Sequence, residues 1–405
     1  MIFIEGGVCA PKGFTANGIL CGIKKGRTKN DIALIESEVP CTAAAVFTKN
    51  LVKAEPVKLT KKHLENGQAQ AVVANSGNAN ACTGSQGYEN AERTATAAAK
   101  YLGLKTDDVL VCSTGVIGQQ INIDAIEQGM EKLCDGLSKN GNVAAREAIM
   151  TTDTKYKETA VVVEIGGKKV TLGTMAKGSG MIHINMGTML GFITTDCAIS
   201  SKMLEAALLE SIEKTYNCVS VDGDTSTNDT LSILANGLAG NSIIHSKNAD
   251  YHTFVEALDA LNTAMAKKIA ADGEGAEHMI ECVITGAKDD TVARNLAKSV
   301  ISSSLVKAMF FGKDANMGRI LCAMGYSGEL FKQEGTSIFF KSEAGEIEVF
   351  HKGVPLVFDE ERAKLVMNEG EVGIRIELDD GRGCGTAWGC DLTYDYVKIN
   401  GDYRT

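Results

Sequence analysis

The stretch richest in chemistry is Lys177-Gly-Ser-Gly-Met-Ile-His-Ile-Asn-Met-Gly-Thr188-Met-Leu-Gly-Phe192, where a lysine and two glycines precede an apolar run carrying one hydroxyl. Two readings fit it. In the first, a glycine-rich turn feeds a buried strand and Thr188 is simply a β-former. In the second, Thr188 becomes a new N-terminus. A threonine hydroxyl is a weak nucleophile unless a base sits beside it, and a freed α-amine is such a base. Its free pKa of about 7.7–8.0 leaves it partly neutral near working pH. The small Gly187 would leave the scissile carbonyl open to the neighbouring hydroxyl. A second hydroxyl-bearing turn, Cys112-Ser-Thr-Gly-Val-Ile-Gly118, is equally compatible with an ordinary strand end and with an oxyanion hole.

Other chemistries lose support. The chain has no G-x-x-x-x-G-K-[ST], G-x-G-x-x-G, G-x-S-x-G or H-E-x-x-H motif, which argues against nucleotide, dinucleotide, serine-hydrolase and zincin sites. His63, His183, His245, His252, His278 and His351 form no metal-like pair at i, i+4, and no metal is expected. The 12 cysteines run from Cys9 to Cys390 without a C-x-x-C, which suggests a reduced chain. Lys plus Arg total 41 against 51 Asp plus Glu, and this net charge of −10 points to a small molecule rather than nucleic acid or an anionic membrane. Met1 to Gly7 lacks the basic region and apolar run of a signal peptide, and no apolar stretch is long enough to span a bilayer, so a cytoplasmic protein is expected.

Apolar alternation predicts strands at Ala71 to Ala74, Val109 to Cys112 and Ala160 to Ile165. The last turns at Gly166-Gly167 into Lys169 to Met175 as a hairpin. Helical spacing predicts helices at Glu89 to Leu102, Ile126 to Leu137, Met203 to Tyr216, Thr253 to Ala271 and Val292 to Met309. Asp391 to Ile399, with Tyr394, Tyr396 and Val397, reads as a terminal strand that would dock the tail onto a sheet. Hairpins separate strands as often as helices do, so a mixed α/β (α+β) layered fold is favoured over a doubly wound sheet. The 43 glycines against 4 prolines indicate tight loops. No repeat, charge block or low-complexity linker marks a domain boundary.

The Lys177 to Phe192 run resembles the self-cleavage segment of the ornithine acetyltransferase family, which cuts just before a threonine. Further segments resemble family signatures, in family order: Asn75-Ser-Gly-Asn-Ala-Asn-Ala81, Cys112 to Gly118, Met150-Thr-Thr-Asp-Thr154, Val221-Asp-Gly-Asp-Thr-Ser-Thr-Asn-Asp229, Asp272-Gly-Glu-Gly275, Phe311-Gly-Lys-Asp-Ala-Asn316 and Cys390-Asp-Leu-Thr393. The resemblance implies a layered sandwich of stacked sheets flanked by helices. It also implies cleavage into an α chain (residues 1–187) and a β chain (188–405), assembled as a heterotetramer of two of each.

The implied reaction passes acetyl from N-acetylornithine to glutamate through an acetyl ester on Thr188, with neither metal nor redox cofactor. Acetyl-CoA is left open as a second donor. Thr114 and Gly115 are the implied oxyanion hole. Thr154, Lys177, Thr188, Glu274, Asn400 and Thr405 are the implied substrate contacts, with a cation and an anion suited to an amino acid. Ile184, Gly187 and Met317 depart from the family pattern, where proline, alanine and tryptophan are usual. These departures bear on how completely the chain processes itself, and an uncleaved binding protein is one rival. The other is a hydrolase on the same threonine, with water as acceptor.

Overall fold

The glycine pair at 166–167 turns the chain on itself. Both residues have positive φ (55° and 72°), and the two flanking strands, Lys157–Ile165 and Lys168–Lys177, pair antiparallel from Ile165 opposite Lys168 to Lys157 opposite Ala176. The computed structural model that contains this hairpin describes residues 1–24, 26, 28–183 and 189–402. Ile184, Gly187, Thr188 and Thr405 lie outside the described residues. The described chain forms two compact units. The first takes in Met1–Gly178, the chain from the strand Leu190–Thr195 to Glu213, and Thr225–Met265; the second takes in Ser179 to His183, Lys214–Asp224 and the chain from Ala266 onward.

A mixed sheet runs through the first unit in the order Ile2–Ile4, Lys157–Ile165, Lys168–Lys177, Leu190–Thr195, Thr230–Ala235, Ile32–Phe47, Gln68–Asn75, Val109–Ser113, with Phe14–Ile19 also on Ile32–Phe47. Side chains alternate across it as a pleat requires. Ile32 and Leu34 join one buried cluster with Val73 and Val111, while Ala33 and Ile35 join another with Val72 and Leu110. The first cluster is closed by helices Glu55–His63, Gly84–Leu102 and Ile123–Asp135 through Leu59, Ala95, Ala98, Met130 and Leu133; the second is closed by Asn142–Ala148.

The sheet of the second unit is also mixed, in the order Val354–Pro355, Gly345–His351, Ser337–Ser342, Glu371–Glu377, Met279–Ala287, Gly383–Cys390, Val219–Thr225, Ile182–His183. Helix Asp290–Ser302 packs on its Met279–Ala287 and Gly383–Cys390 strands. The architecture is therefore the layered mixed α/β type expected. Among the described residues, no helix is long and apolar enough to cross a membrane.

Two elements differ from the sequence expectation. The helix expected from Val292 to Met309 is two helices, Asp290–Ser302 and Ser304–Phe311. Ser303 is extended between them (φ −68°, ψ 118°), and its hydroxyl accepts the Val306 N–H. No glycine or proline signals this break. The Asp391 to Ile399 segment holds no strand. Its chain forms the helix Tyr394–Gly401 after an extended Thr393, with Asp395 in the first turn, where a carboxylate meets the positive end of the helix dipole. Tyr394 and Val397 remain exposed and Tyr396 is only partly buried, so the alternation that suggested a strand does not bury one face.

The unit boundaries also explain why the sequence shows no linker: the helix Ala249–Ala270 contributes residues to both units.

The strand Leu190–Thr195 is buried at all of its positions, with Phe192 at 1% exposure. Phe192→Ala is expected to destabilise the protein by about 3–5 kcal/mol, read as a lowered denaturant midpoint at unchanged slope.

Candidate active site

Thr114 and Gly115 sit where two loops interlock. The strand Val109–Ser113 delivers the chain to a buried polar knot: Ser113 Oγ donates to Asn75 Oδ1 at 2.6 Å, Thr114 N–H donates to Asn75 O at 2.9 Å, and Asn75 Nδ2 donates to Asn78 O at 2.9 Å. The amide of Asn228 bridges both loops, donating to Ala79 O at 2.6 Å and to Ser113 O at 2.8 Å. Gly115 has φ +133°, and a Cβ there would fall 2.3 Å from the Gly77 carbonyl carbon and 2.5 Å from Asn78 N. Only glycine fits so close a backbone approach.

Lys177 ends the strand Lys168–Lys177, opposite Leu190. Its side chain is buried (8% exposed), and its Nζ donates to Thr114 Oγ1 at 3.4 Å. An ammonium has no acceptor, so the Thr114 oxygen accepts here and its own hydroxyl proton stays available to another oxygen.

Beneath this pair lies Asp153. It takes the Gly178 N–H at 2.8 Å, the Thr151 N–H at 3.1 Å and the Lys157 ammonium at 2.7 Å, and the last ion pair is 1% exposed on both sides. Burial alone would raise the Asp153 pKa. The charges of Lys177 and Lys157, with the bonds from Lys157 and Gly178, outweigh it and hold the carboxyl at about 2. Thr154, next in sequence, is exposed.

In the second unit, Glu274 is buried at 6% exposure, and its Oε2 accepts from Asn400 Nδ2 at 2.7 Å. Glu274 N–H donates to Ser179 O at 3.1 Å, and Ser179 Oγ donates to Asp272 O at 2.6 Å. The C-terminal helix is pinned by Thr393 Oγ1 donating to Gly275 O at 2.7 Å. The backbone of Gly275 (φ +70°) lies so close to that helix that a Cβ would meet Tyr396 N at 2.7 Å. The C-terminal helix Tyr394–Gly401 is thus anchored by polar contacts in place of strand pairing.

His183 bonds Ser220 Oγ through Nδ1 at 3.0 Å and is pushed down to about 4, first by burial and then by the Lys298 charge, so it is neutral at working pH. Glu277, His278 and Asp391 bring possible metal donors within 4.8 Å of one another. One Asp391 oxygen, however, already takes the Glu277 and His278 N–H groups (3.0 and 3.1 Å), and the other contacts His278 Nδ1 (3.0 Å), a set of bonds that fastens the chain.

The structure therefore brings Thr114, Gly115 and Lys177 together in one unit, and Glu274 and Asn400 together in the other. Asp153, Asp222 and Asn228 fall inside the motifs Met150–Thr154 and Val221–Asp229, but residue type and spacing alone give them no role. Their signal is an acid or amide set among small residues, and partner counts become visible only in three dimensions. Tyr396, in the segment whose alternation reads as a strand, lies on the C-terminal helix.

Replacing Asp153 by Asn removes the negative charge opposite the buried Lys157 ammonium, and a loss of about 3–5 kcal/mol is expected. Because the native carboxyl titrates at about 2, below the unfolded value of about 3.9, its stabilisation is in place above about pH 4 and is lost as pH falls through 2. Denaturation curves of the wild type and Asp153→Asn between pH 2 and 7 are expected to converge at the acid end.

The ArgJ family model matches residues 15–405. The arginine biosynthesis bifunctional protein ArgJ of Symbiobacterium thermophilum is 51% identical over 406 residues, covering 100% of both chains. Arginine biosynthesis bifunctional protein ArgJ 1 of Clostridium acetobutylicum is 51% identical over 392 residues, covering 97% of this chain and 96% of its own. The crystal structure of the Bacillus halodurans arginine biosynthesis bifunctional protein aligns with a TM-score of 0.50 at 44% identity, covering 53% of this chain and 99% of that one. Matched along nearly all of its length, the chain belongs to the ArgJ family.

Proposed function

We propose that this enzyme moves acetyl from N-acetylornithine to glutamate, giving ornithine and N-acetylglutamate, with Thr188 as nucleophile. In the first step Thr188 Oγ attacks the Gly187 carbonyl, the peptide becomes an ester, and water releases chains of residues 1–187 and 188–405. The new α-amine then serves as base for the same hydroxyl. Thr188 Oγ attacks the acetyl carbonyl, the ornithine amine leaves with a proton, and the glutamate amine takes the acetyl from the ester. Acyl transfer changes no oxidation state, so the scheme calls for no redox cofactor.

The observation that carries this reading is the Lys177–Thr114 contact. Lys177 occupies the acceptor side of the Thr114 oxygen, which leaves the O–H to donate to an oxyanion, with the Gly115 N–H as second donor. One such donor is worth about 2.7–4 kcal/mol in the transition state. Thr154, Lys177, Glu274, Asn400 and Thr405 are the proposed substrate contacts, Lys177 for a carboxylate and Glu274 for an amine.

The sheet supports continued association after cleavage. The strands Leu190–Thr195 and Thr230–Ala235 from the later product lie between Lys168–Lys177 and Ile32–Phe47 from the earlier one. We further propose a cytoplasmic heterotetramer of two such pairs. Acetyl-CoA is proposed as a second donor, in line with the bifunctional description of the bacterial relatives.

Thr188→Ala is expected to leave one uncut chain with no transfer activity. Thr114→Ala is expected to lower kcat about 10²–10³-fold with KM little changed. Hydrolysis of N-acetylornithine at a rate indifferent to glutamate would overturn the transferase assignment.

A further inference from the structure

Asp222 belongs to the strand Val219–Thr225 and takes no part in the acyl-transfer steps. Its Oδ2 accepts the Met181 N–H at 2.6 Å, and its Oδ1 accepts the Ile182 N–H at 2.8 Å and the Asp224 N–H at 3.2 Å. Successive N–H groups converging on one anion form a charge-assisted clamp. Met181 has φ +56°, a left-handed conformation that a side chain with a Cβ adopts only when held there. Just before it, Ser179 is fixed by its bond to Asp272 O and by the Glu274 N–H. From the C-terminal helix the Tyr396 phenol faces the same carboxylate. Its pKa is raised, first by burial and then by Asp222, Glu274 and Asp224, so it keeps its proton and presents a donor.

We infer that Asp222 is a positioning residue for self-cleavage at Gly187–Thr188: by fixing the Met181–Ile182 backbone it sets how the chain enters the scissile segment. The inference rests on the self-cleavage reading above. Attack of Thr188 Oγ on the adjacent carbonyl depends on alignment, and misplacement by about 1 Å costs of the order of 10²-fold in rate. The Asp222 carboxylate exchanges no proton in this step; it holds backbone. Asparagine at 222 would keep one acceptor oxygen and turn an NH2 group toward a backbone N–H.

The test follows conversion of the full chain into two fragments during cell-free synthesis, for wild type, Asp222→Asn, Tyr396→Phe and Thr188→Ala. Cleavage of Asp222→Asn is expected to slow by about 10²-fold. The kcat and KM of the material that has cleaved should stay within about threefold of wild type. Wild-type cleavage in Asp222→Asn overturns the inference, as does an equal fall in cleavage and in kcat per cleaved chain, the mark of a merely structural role. Should Asp222→Asn fail to fold, Tyr396→Phe decides: slowed cleavage supports the clamp and an unchanged rate overturns it. A wild-type chain that stays intact, like Thr188→Ala, removes the self-cleavage reading itself and the clamp with it.

Discussion

The constraint on which the structure turns is the burial of Leu190–Thr195. Each of its six residues is paired with Lys168–Lys177 on one side and Thr230–Ala235 on the other. Backbone groups buried this deeply must all find partners, and both neighbouring strands supply them. Residue 189, directly after the proposed nucleophile, is already held, its carbonyl accepting the Thr230 N–H at 3.0 Å. A chain fixed this firmly on one side of a bond can be cut there without coming apart, and the same anchoring limits how far a newly made N-terminus can stray.

Each unit uses a carboxylate to hold backbone. Asp153 pairs with Lys157 in the field of Lys177 in the first unit, and Asp222 gathers three backbone donors in the second. Burial acts on both carboxyls in the same upward direction. Cations reverse it at Asp153, where the pKa falls to about 2, whereas Asp222 faces mainly N–H dipoles and other acids and stays raised. The first is an ion-pair anchor beneath Lys177. The second is a backbone clamp on the segment that follows Ser179.

Much of the fold was legible because it is written in local patterns. The Gly166-Gly167 turn, the Gly103 end of Gly84–Leu102 (φ +69°) and the apolar alternation of Gln68–Asn75 each follow from short-range geometry. The break at Ser303 and the C-terminal helix were not legible. Ser303 is an ordinary residue whose capping role depends on the turn it finds itself in, and Tyr394-Asp-Tyr-Val397 has the alternation of a strand without a sheet to join. The site divides in the same way. Thr114, Gly115, Lys177 and Glu274 lie in the motifs that carry the family resemblance, whereas Asp222, Asn228 and Tyr396 acquire meaning through partners far away in sequence, and Asp153 joins a near neighbour, Lys157, to the distant Gly178 N–H and Lys177 charge.

The central claim is that Thr188 carries the acetyl group. It is tested most directly by incubating the purified protein with N-acetylornithine alone, then measuring the mass of the peptide that begins at Thr188 before and after glutamate is added. The account predicts a gain of one acetyl group on that peptide, lost on addition of glutamate as N-acetylglutamate appears. Consumption of N-acetylornithine with Thr188 unmodified, or an acetyl group that glutamate does not remove, would contradict it.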